Sequence, residues 1–291
     1  MGRWFDAPNR LGPLLVAPTV LILGGLLAWP LVLGVWLSLT DASLGTAGAF
    51  VGLANYAALL RDPVFLGAAF YALFYTTCAE VLKVALGLAL ALLLNRRFRF
   101  YRITRAVMLL PWVAPTVLSA LAWEWLLDPQ FSAISWLLVH LGLIHGYINF
   151  LGETWLARAS LIVVNVWRGL PYFTIGYLAG LQAVPRELLE AASIDGAGPI
   201  TIFRRIVWPL LLPVTTILVS FSAIWTVTDF QLIWTMTRGG PLNATQVFTT
   251  LAYQRAITGG NLGQGAAIAA FVIPLMVVFA AFALRATREH A

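Results

Sequence analysis

The chain of 291 residues is 60% hydrophobic and only 10% charged, where a soluble globular chain carries roughly a quarter charged residues. Its apolar residues fall in blocks of about 20 or more, the length a helix needs to cross a bilayer, so a freely soluble domain is excluded. The formal charge of +6 comes from arginines scattered at block ends, with no aromatic-interleaved basic face, which makes it a matter of membrane topology and leaves no nucleic-acid partner.

Taken in chain order, Arg3 and Arg10 precede an uncharged run over 11–39 that is too long for the apolar region of a signal peptide and reads as a retained first span. Five further spans are predicted over 65–94, 106–127, 155–184, 208–236 and 263–284. The expectation is an all-α polytopic membrane protein of six transmembrane helices, with a transmembrane domain over 11–284 and short cytoplasmic termini at 1–10 and 285–291. Its orientation follows from cation counting, because short cytoplasmic loops are enriched in Lys and Arg. The termini and the segments 95–105 and 182–207 hold twelve arginines, and the opposite segments hold four: Arg61, Arg158, Arg238 and Arg255. Both termini are therefore expected in the cytoplasm.

Two outer segments, 40–64 and 128–154, exceed simple turns. In the second, Trp136, Leu137, Leu138 and Leu141 suggest a helix lying on the membrane surface, with or without a docking partner. Internal repeats of the kind that mark secondary transporters are not evident. The single cysteine, Cys78, excludes an intrachain disulfide and a thiolate metal site. His140, His145 and His290 have no metal spacing and no Ser or Cys partner pattern, so neither a catalytic residue nor a metal site is expected.

The segment 185–209 is the most informative. Within VPRELLEAASIDGAGPITIFRRIVWPLLLP, the stretch 185–195 has helix-forming composition, Gly196 suits the left-handed residue that ends a helix, and Pro199 suits the first position of another. Ala191 and Ala192 present little side chain, so a partner surface can approach that helix closely. Glu190-Ala191-Ala192, then Gly196, then Ile206 and Pro209 follow a signature spacing, with Trp208 where the signature has Leu. In this the chain resembles the inner-membrane permease subunits of ABC importers. The resemblance implies a MetI-like permease fold whose loop is a cytoplasmic coupling helix seated on an ABC ATPase dimer, with Glu190, Ala191, Ala192, Asp195, Gly196, Ile206 and Pro209 in the coupling element. No G-x-x-x-x-G-K-[ST] motif is present, so ATP and Mg are expected on the partner ATPase and no cofactor on this chain.

FVGLANYAALLRDPVF before the second span, LLPWVAPTVLSALAWEWLLDP in the third, NVWRGLPY in the fourth and TRGGPLNAT after the fifth extend the likeness, with a conserved-type core over about 65–284. They resemble the maltose-type carbohydrate-uptake permeases, and the Gly239-Gly240-Pro241 element resembles their MalF-like first subunit. This implies a MalG-like second permease, an extracytoplasmic sugar-binding protein and a sugar substrate.

Ionisable residues at membrane depth mark a bundle interior or a water-filled path. Glu80 and Lys83, three apart, can share a helix face and neutralise each other, while Glu124 is near a span end. Arg168 and Asp229 are deeper; they either pair with each other or face a translocation path. By resemblance, the sugar pocket is lined by Trp112, Thr116, Asn165, Arg168, Gly169, Tyr172, Ser222 and Thr226. Asn165, Gly169, Tyr172 and Ser222 agree with the maltose pattern; Trp112, Thr116, Arg168 and Thr226 depart from it, so maltose itself is not carried over. Two alternatives stand beside the sugar importer: an ion-gradient-driven carrier using the four buried charges as a relay, and an importer for a non-sugar solute such as a glycerol phosphate.

Overall fold

A computed structural model describes residues 8–96 and 99–288. Most of the expected cytoplasmic stretch 1–10, residues 97–98 of the 95–105 loop and the last three residues lie outside them. In chain order the helices are α1 (Pro8–Ser38), α2 (Ala54–Leu59), α3 (Pro63–Leu94), α4 (Tyr101–Met108), α5 (Leu110–Val113), α6 (Thr116–Leu126), α7 (Ala133–His140) and α8 (Thr154–Ala183). They continue with α9 (Arg186–Ile194), α10 (Pro199–Ile202), α11 (Trp208–Val227), α12 (Gln231–Met236), α13 (Phe248–Tyr253), α14 (Leu262–Ala270) and α15 (Val272–Arg288). Among the described residues there are isolated β-bridges but no strands.

The all-α polytopic fold expected is what forms, although the six spans differ in regularity and their count is not exact. Among the described residues, four segments are long and apolar enough to cross a membrane: Leu15–Ser38, Pro63–Leu94, Pro199–Val227 and Leu262–Arg285. The expected third span is instead a pair, Tyr101–Val113 and Thr116–Leu126, bent by 95°. Pro115 explains the break: it lacks an N–H and drives Ala114 out of the helical region, to φ −64°, ψ 134°. The expected fourth, α8, has 30 residues, about 45 Å of helix. It is long enough to cross, but Asn165, Arg168 and Pro171 lower its hydropathy below that of the other four. The expected fifth stops at Val227, nine residues short of its predicted end at 236.

The chain divides into two units. In the first, made of the described residues up to Arg61 together with Ala252–Ala270, α1 packs on α14. Asn55 of the GLANY stretch donates from Nδ2 to Ser38 O at 2.9 Å and Thr40 O at 2.8 Å, satisfying carbonyls left open where α1 ends. Gly263 N donates to Ala42 O at 3.0 Å. The apolar side chains along α1 are exposed, as a lipid-facing helix requires.

In the second unit, made of the described residues of 62–251 and 271–288, α8 packs against both α3 and α11. Asp62 accepts from Val64 N at 2.8 Å and Pro63, which has no N–H, occupies the first turn, so α3 begins with a capped end. Glycines set the closeness of packing. A methyl group on Gly87 of α3 would sit 2.5 Å from Phe173 Cβ of α8, and one on Gly176 of α8 would sit 2.5 Å from Leu218 Cδ2 of α11. Gly176 and Gly180, a small-xxx-small pair, thus let α11 lie on α8 as membrane helices do. The core between them holds Ala91, Phe173, Tyr177, Leu211 and Leu218. A helix forms where one was expected in 128–154, as α7, capped by Ser132 Oγ accepting from Ser135 N at 2.9 Å, with Trp136 and Leu137 exposed.

Candidate functional site

A cavity of about 530 Å³ opens in the second unit, within the 300–1,000 Å³ typical of small-molecule sites. All eight residues expected to line a pocket line this one: Trp112, Thr116, Asn165, Arg168, Gly169, Tyr172, Ser222 and Thr226. Asn165, Gly169 and Tyr172 share one face of α8, as their spacing predicts. Trp112 and Thr116 sit on either side of the 95° break, so the break lies at the cavity. Its wall is also formed by the irregular stretch Thr228–Phe230 between α11 and α12; such backbone is tolerated at membrane depth where it lines a cavity.

An aromatic wall faces the cavity. Tyr172 stands edge-on to Trp225 at 5.3 Å between ring centroids and lies 6.2 Å from Trp112. Trp225 was not among the expected residues, although Ser222 and Trp225 are three apart and Tyr172 was already placed. Their helical spacing was the available signal.

The buried charges sort into two groups. Lys83 Nζ lies 2.7 Å from Glu80 Oε1, confirming the predicted pair, but the pair does not stand alone. Lys83 also donates to Ser222 Oγ at 2.7 Å and Thr226 Oγ1 at 3.0 Å. Both hydroxyls in turn donate to Glu80 Oε1, at 2.9 and 3.0 Å. A methyl on Gly169 would sit 2.7 Å from Lys83 Cδ, so this glycine makes room for the lysine stem.

Arg168 and Asp229 are not ion-paired. Asp229 accepts at Oδ2 from Tyr75 Oη and Asn165 Nδ2, both 3.2 Å, and at Oδ1 from Leu232 N at 3.3 Å. Arg168 Nε is buried without a partner, as is Asn165 Oδ1, and both residues line the cavity with Asp229. Of the pairing and the open arrangement left by the sequence, the pairing does not form, and both side chains line the cavity. Arg168 Nε and Asn165 Oδ1 thus keep unsatisfied hydrogen-bonding capacity beneath the cavity surface, Asn165 being only 7% exposed.

Away from the cavity, Glu190, Ala191, Ala192, Asp195 and Gly196 lie on α9 or at its end. Gly196 takes φ +80°, as predicted, and Ala197 N→Ala192 O at 2.9 Å with Gly196 N→Ser193 O at 3.1 Å closes the helix. Leu188, Ile194 and Ile200 around it are exposed. Ile206 lies in a π-helical turn, Phe203–Val207, and Pro209 in the first turn of α11.

The family described as the binding-protein-dependent transport system inner membrane component matches residues 83–288, which include the cavity helices α8 and α11 and the whole of α9. The chain belongs to this family. It is an ABC-importer permease subunit and a multi-pass membrane protein of MetI-like fold; in this family separate subunits hydrolyse ATP, so the permease is not an enzyme. It is 33% identical over 280 residues to the trehalose/maltose transport system permease protein MalF of Thermococcus litoralis, covering 96% of this chain and 94% of that one. It is 32% identical over 289 residues to the sulfoquinovosyl glycerol transport system permease protein SmoG of Agrobacterium fabrum, covering 98% and 93%. The same fold occurs in a bacterial ABC transporter that imports the acidic polysaccharide alginate, with a TM-score of 0.80 at 20% identity over 97% of this chain and 95% of that one.

Proposed function

We propose that this permease forms, with a MalG-like second permease, the translocation path for a carbohydrate handed over by an extracytoplasmic binding protein, and that the cavity on α8 and α11 is part of that path. The observation that carries the reading is the combination of an aromatic wall, Tyr172 and Trp225, with unsatisfied hydrogen-bonding capacity at Arg168 and Asn165 beneath the cavity surface. A sugar has an apolar ring face and hydroxyls that both donate and accept, and this wall complements both. Relatives named for trehalose/maltose and for sulfoquinovosyl glycerol support the class.

In this reading α9 seats on an ABC ATPase dimer, which binds the ATP and Mg, through Glu190, Ala191, Ala192, Asp195 and Gly196, with Ile206 and Pro209 leading into α11. The exposed Leu188 and Ile194 favour it, because single apolar side chains on a short polar helix suit insertion into a partner groove. The arginine bias sets both termini and α9 in the cytoplasm. The arrangement of the four charges disfavours a carrier's charge relay, since Glu80 and Lys83 form a closed pair.

The test is to reconstitute the permease with its partner subunits and its binding protein, and to measure ATP hydrolysis against a panel of mono-, di- and oligosaccharides and a glycerol phosphate. At least one carbohydrate stimulates hydrolysis if the reading is right. Stimulation by the phosphate alone would overturn it in favour of an anionic solute, the reading that the unpaired Arg168 supports.

A further inference from the structure

The hydroxyls of Ser222 and Thr226 face the cavity but are already engaged. Each donates its one proton to Glu80 Oε1 and accepts from Lys83 Nζ. An ammonium has three protons, and Glu80, Ser222 and Thr226 take all three. Lys83 lines the cavity and is only 2% exposed, so a molecule there reaches the ammonium by displacing one of these partners. Two of the three are alcohols, the group that a carbohydrate carries in abundance. Exchanging one alcohol for another conserves the hydrogen bonds, whereas withdrawing one without replacement strands an N–H at membrane depth.

The four side chains also tie two helices together, Glu80 and Lys83 on α3 to Ser222 and Thr226 on α11. The segment Pro199–Val227 is a single helical run of 29 residues. It ends at the cavity and begins just after α9. Its π turn at Phe203–Val207 is the kind of local irregularity that recurs at functional sites. A displacement of either end of such a rod is felt at the other.

We propose that Glu80 and Lys83 are positioning residues that clamp α11 to α3 in the unloaded importer, and that substrate hydroxyls replace both Ser222 and Thr226 on Lys83 and Glu80, freeing α11 to move. The inference rests on the reading of the cavity as the translocation path and of α9 as the ATPase seat. Because the clamp is a set of directional bonds between buried groups, it is held or released and has no intermediate setting. This explains a lysine–glutamate pair kept at membrane depth where an apolar pair would pack at lower cost.

The experiment uses the importer reconstituted with its partner subunits and no binding protein, so no sugar is needed. Basal ATP hydrolysis per assembled complex and the melting temperature are measured for wild type, for Ser222→Ala/Thr226→Val and for Glu80→Gln/Lys83→Met. The first variant removes no charge; the second removes both charges together, which avoids the uncompensated ion of a single substitution. Both are expected to raise basal hydrolysis about tenfold, equivalent to about 1.4 kcal/mol. A merely structural network would lower assembly or melting temperature and leave the rate per complex unchanged. A wild-type basal rate in either assembled variant overturns the clamp and leaves the sugar-importer reading intact. Failure of both variants to assemble marks the network as packing alone and also overturns it. A wrong sugar assignment leaves this basal readout standing.

Discussion

Replacing Tyr172 by alanine is expected to cut transport about tenfold or more while the subunit still folds and assembles. The ring is half-buried and meets Trp225 at 5.3 Å, Phe173 at 5.6 Å and Trp112 at 6.2 Å. Each aromatic pair is worth about 0.5–1.5 kcal/mol beyond burial, and these contacts hold Trp112 and Trp225 in place as a wall. Tyr172 makes no inter-helix hydrogen bond whose loss strands a buried partner, so the folded core of α3, α8 and α11 survives. A ligand losing the ring and the order of its neighbours forfeits about 1.4–3 kcal/mol, and every 1.4 kcal/mol is about tenfold in affinity. The assay compares uptake and binding-protein-stimulated ATP hydrolysis in Tyr172→Ala with Val278→Ala, an exposed position on α15. ATPase pull-down checks assembly. Transport by Tyr172→Ala at the control's level refutes the assignment of this wall to the substrate, although family membership stands.

Three further outcomes are expected. Gly196→Asp places a side chain at φ +80° where no other atom lies within 4 Å; the subunit stays folded, the αL turn is penalised by about 1–2 kcal/mol, and uptake and ATPase pull-down are lost together, so normal pull-down with normal uptake would remove α9 as the seat. Gly176→Val drives its Cβ to 2.5 Å from Leu218 Cδ2 and should cost about 1–3 kcal/mol through overpacking, visible as a lower melting temperature; an unchanged one would show that α8 and α11 part freely. In a Cys78→Ser background, single cysteines at Leu44 (59% exposed) and Ile194 (85% exposed) should react with an impermeant thiol reagent from opposite sides of the membrane. Labelling of position 194 but not 44 in whole cells would invert the topology.

Much of this protein is written locally in its chain. Long apolar runs, the arginine imbalance around them and the spacing from Glu190 to Pro209 depend on neighbours in sequence, so membrane class, expected orientation and family resemblance were legible without coordinates. The shared face of Asn165, Gly169 and Tyr172 and the left-handed Gly196 belong to the same kind, because helical periodicity and a glycine's conformational freedom act over a few residues. The bend in the third span was not legible, since a hydropathy run does not register that Pro115 turns its helix by 95°.

What only the tertiary structure decided is which buried group meets which. Lys83 finds Ser222 and Thr226 across 139 and 143 residues of chain, and Tyr75 finds Asp229 across 154. No local pattern announces such partners. Helical spacing favoured a pair for Glu80 and Lys83 but left Arg168 and Asp229 undecided, and in the structure the first pair closes while the second stays open to the cavity. Helix periodicity assigns a residue to a face, but the distance between two faces is set by side-chain volumes packed between whole helices. Here Gly169, Gly176 and Gly180 let α8 approach Lys83 and α11 closely, and that approach determines which polar groups are used up inside the bundle and which are left for a ligand.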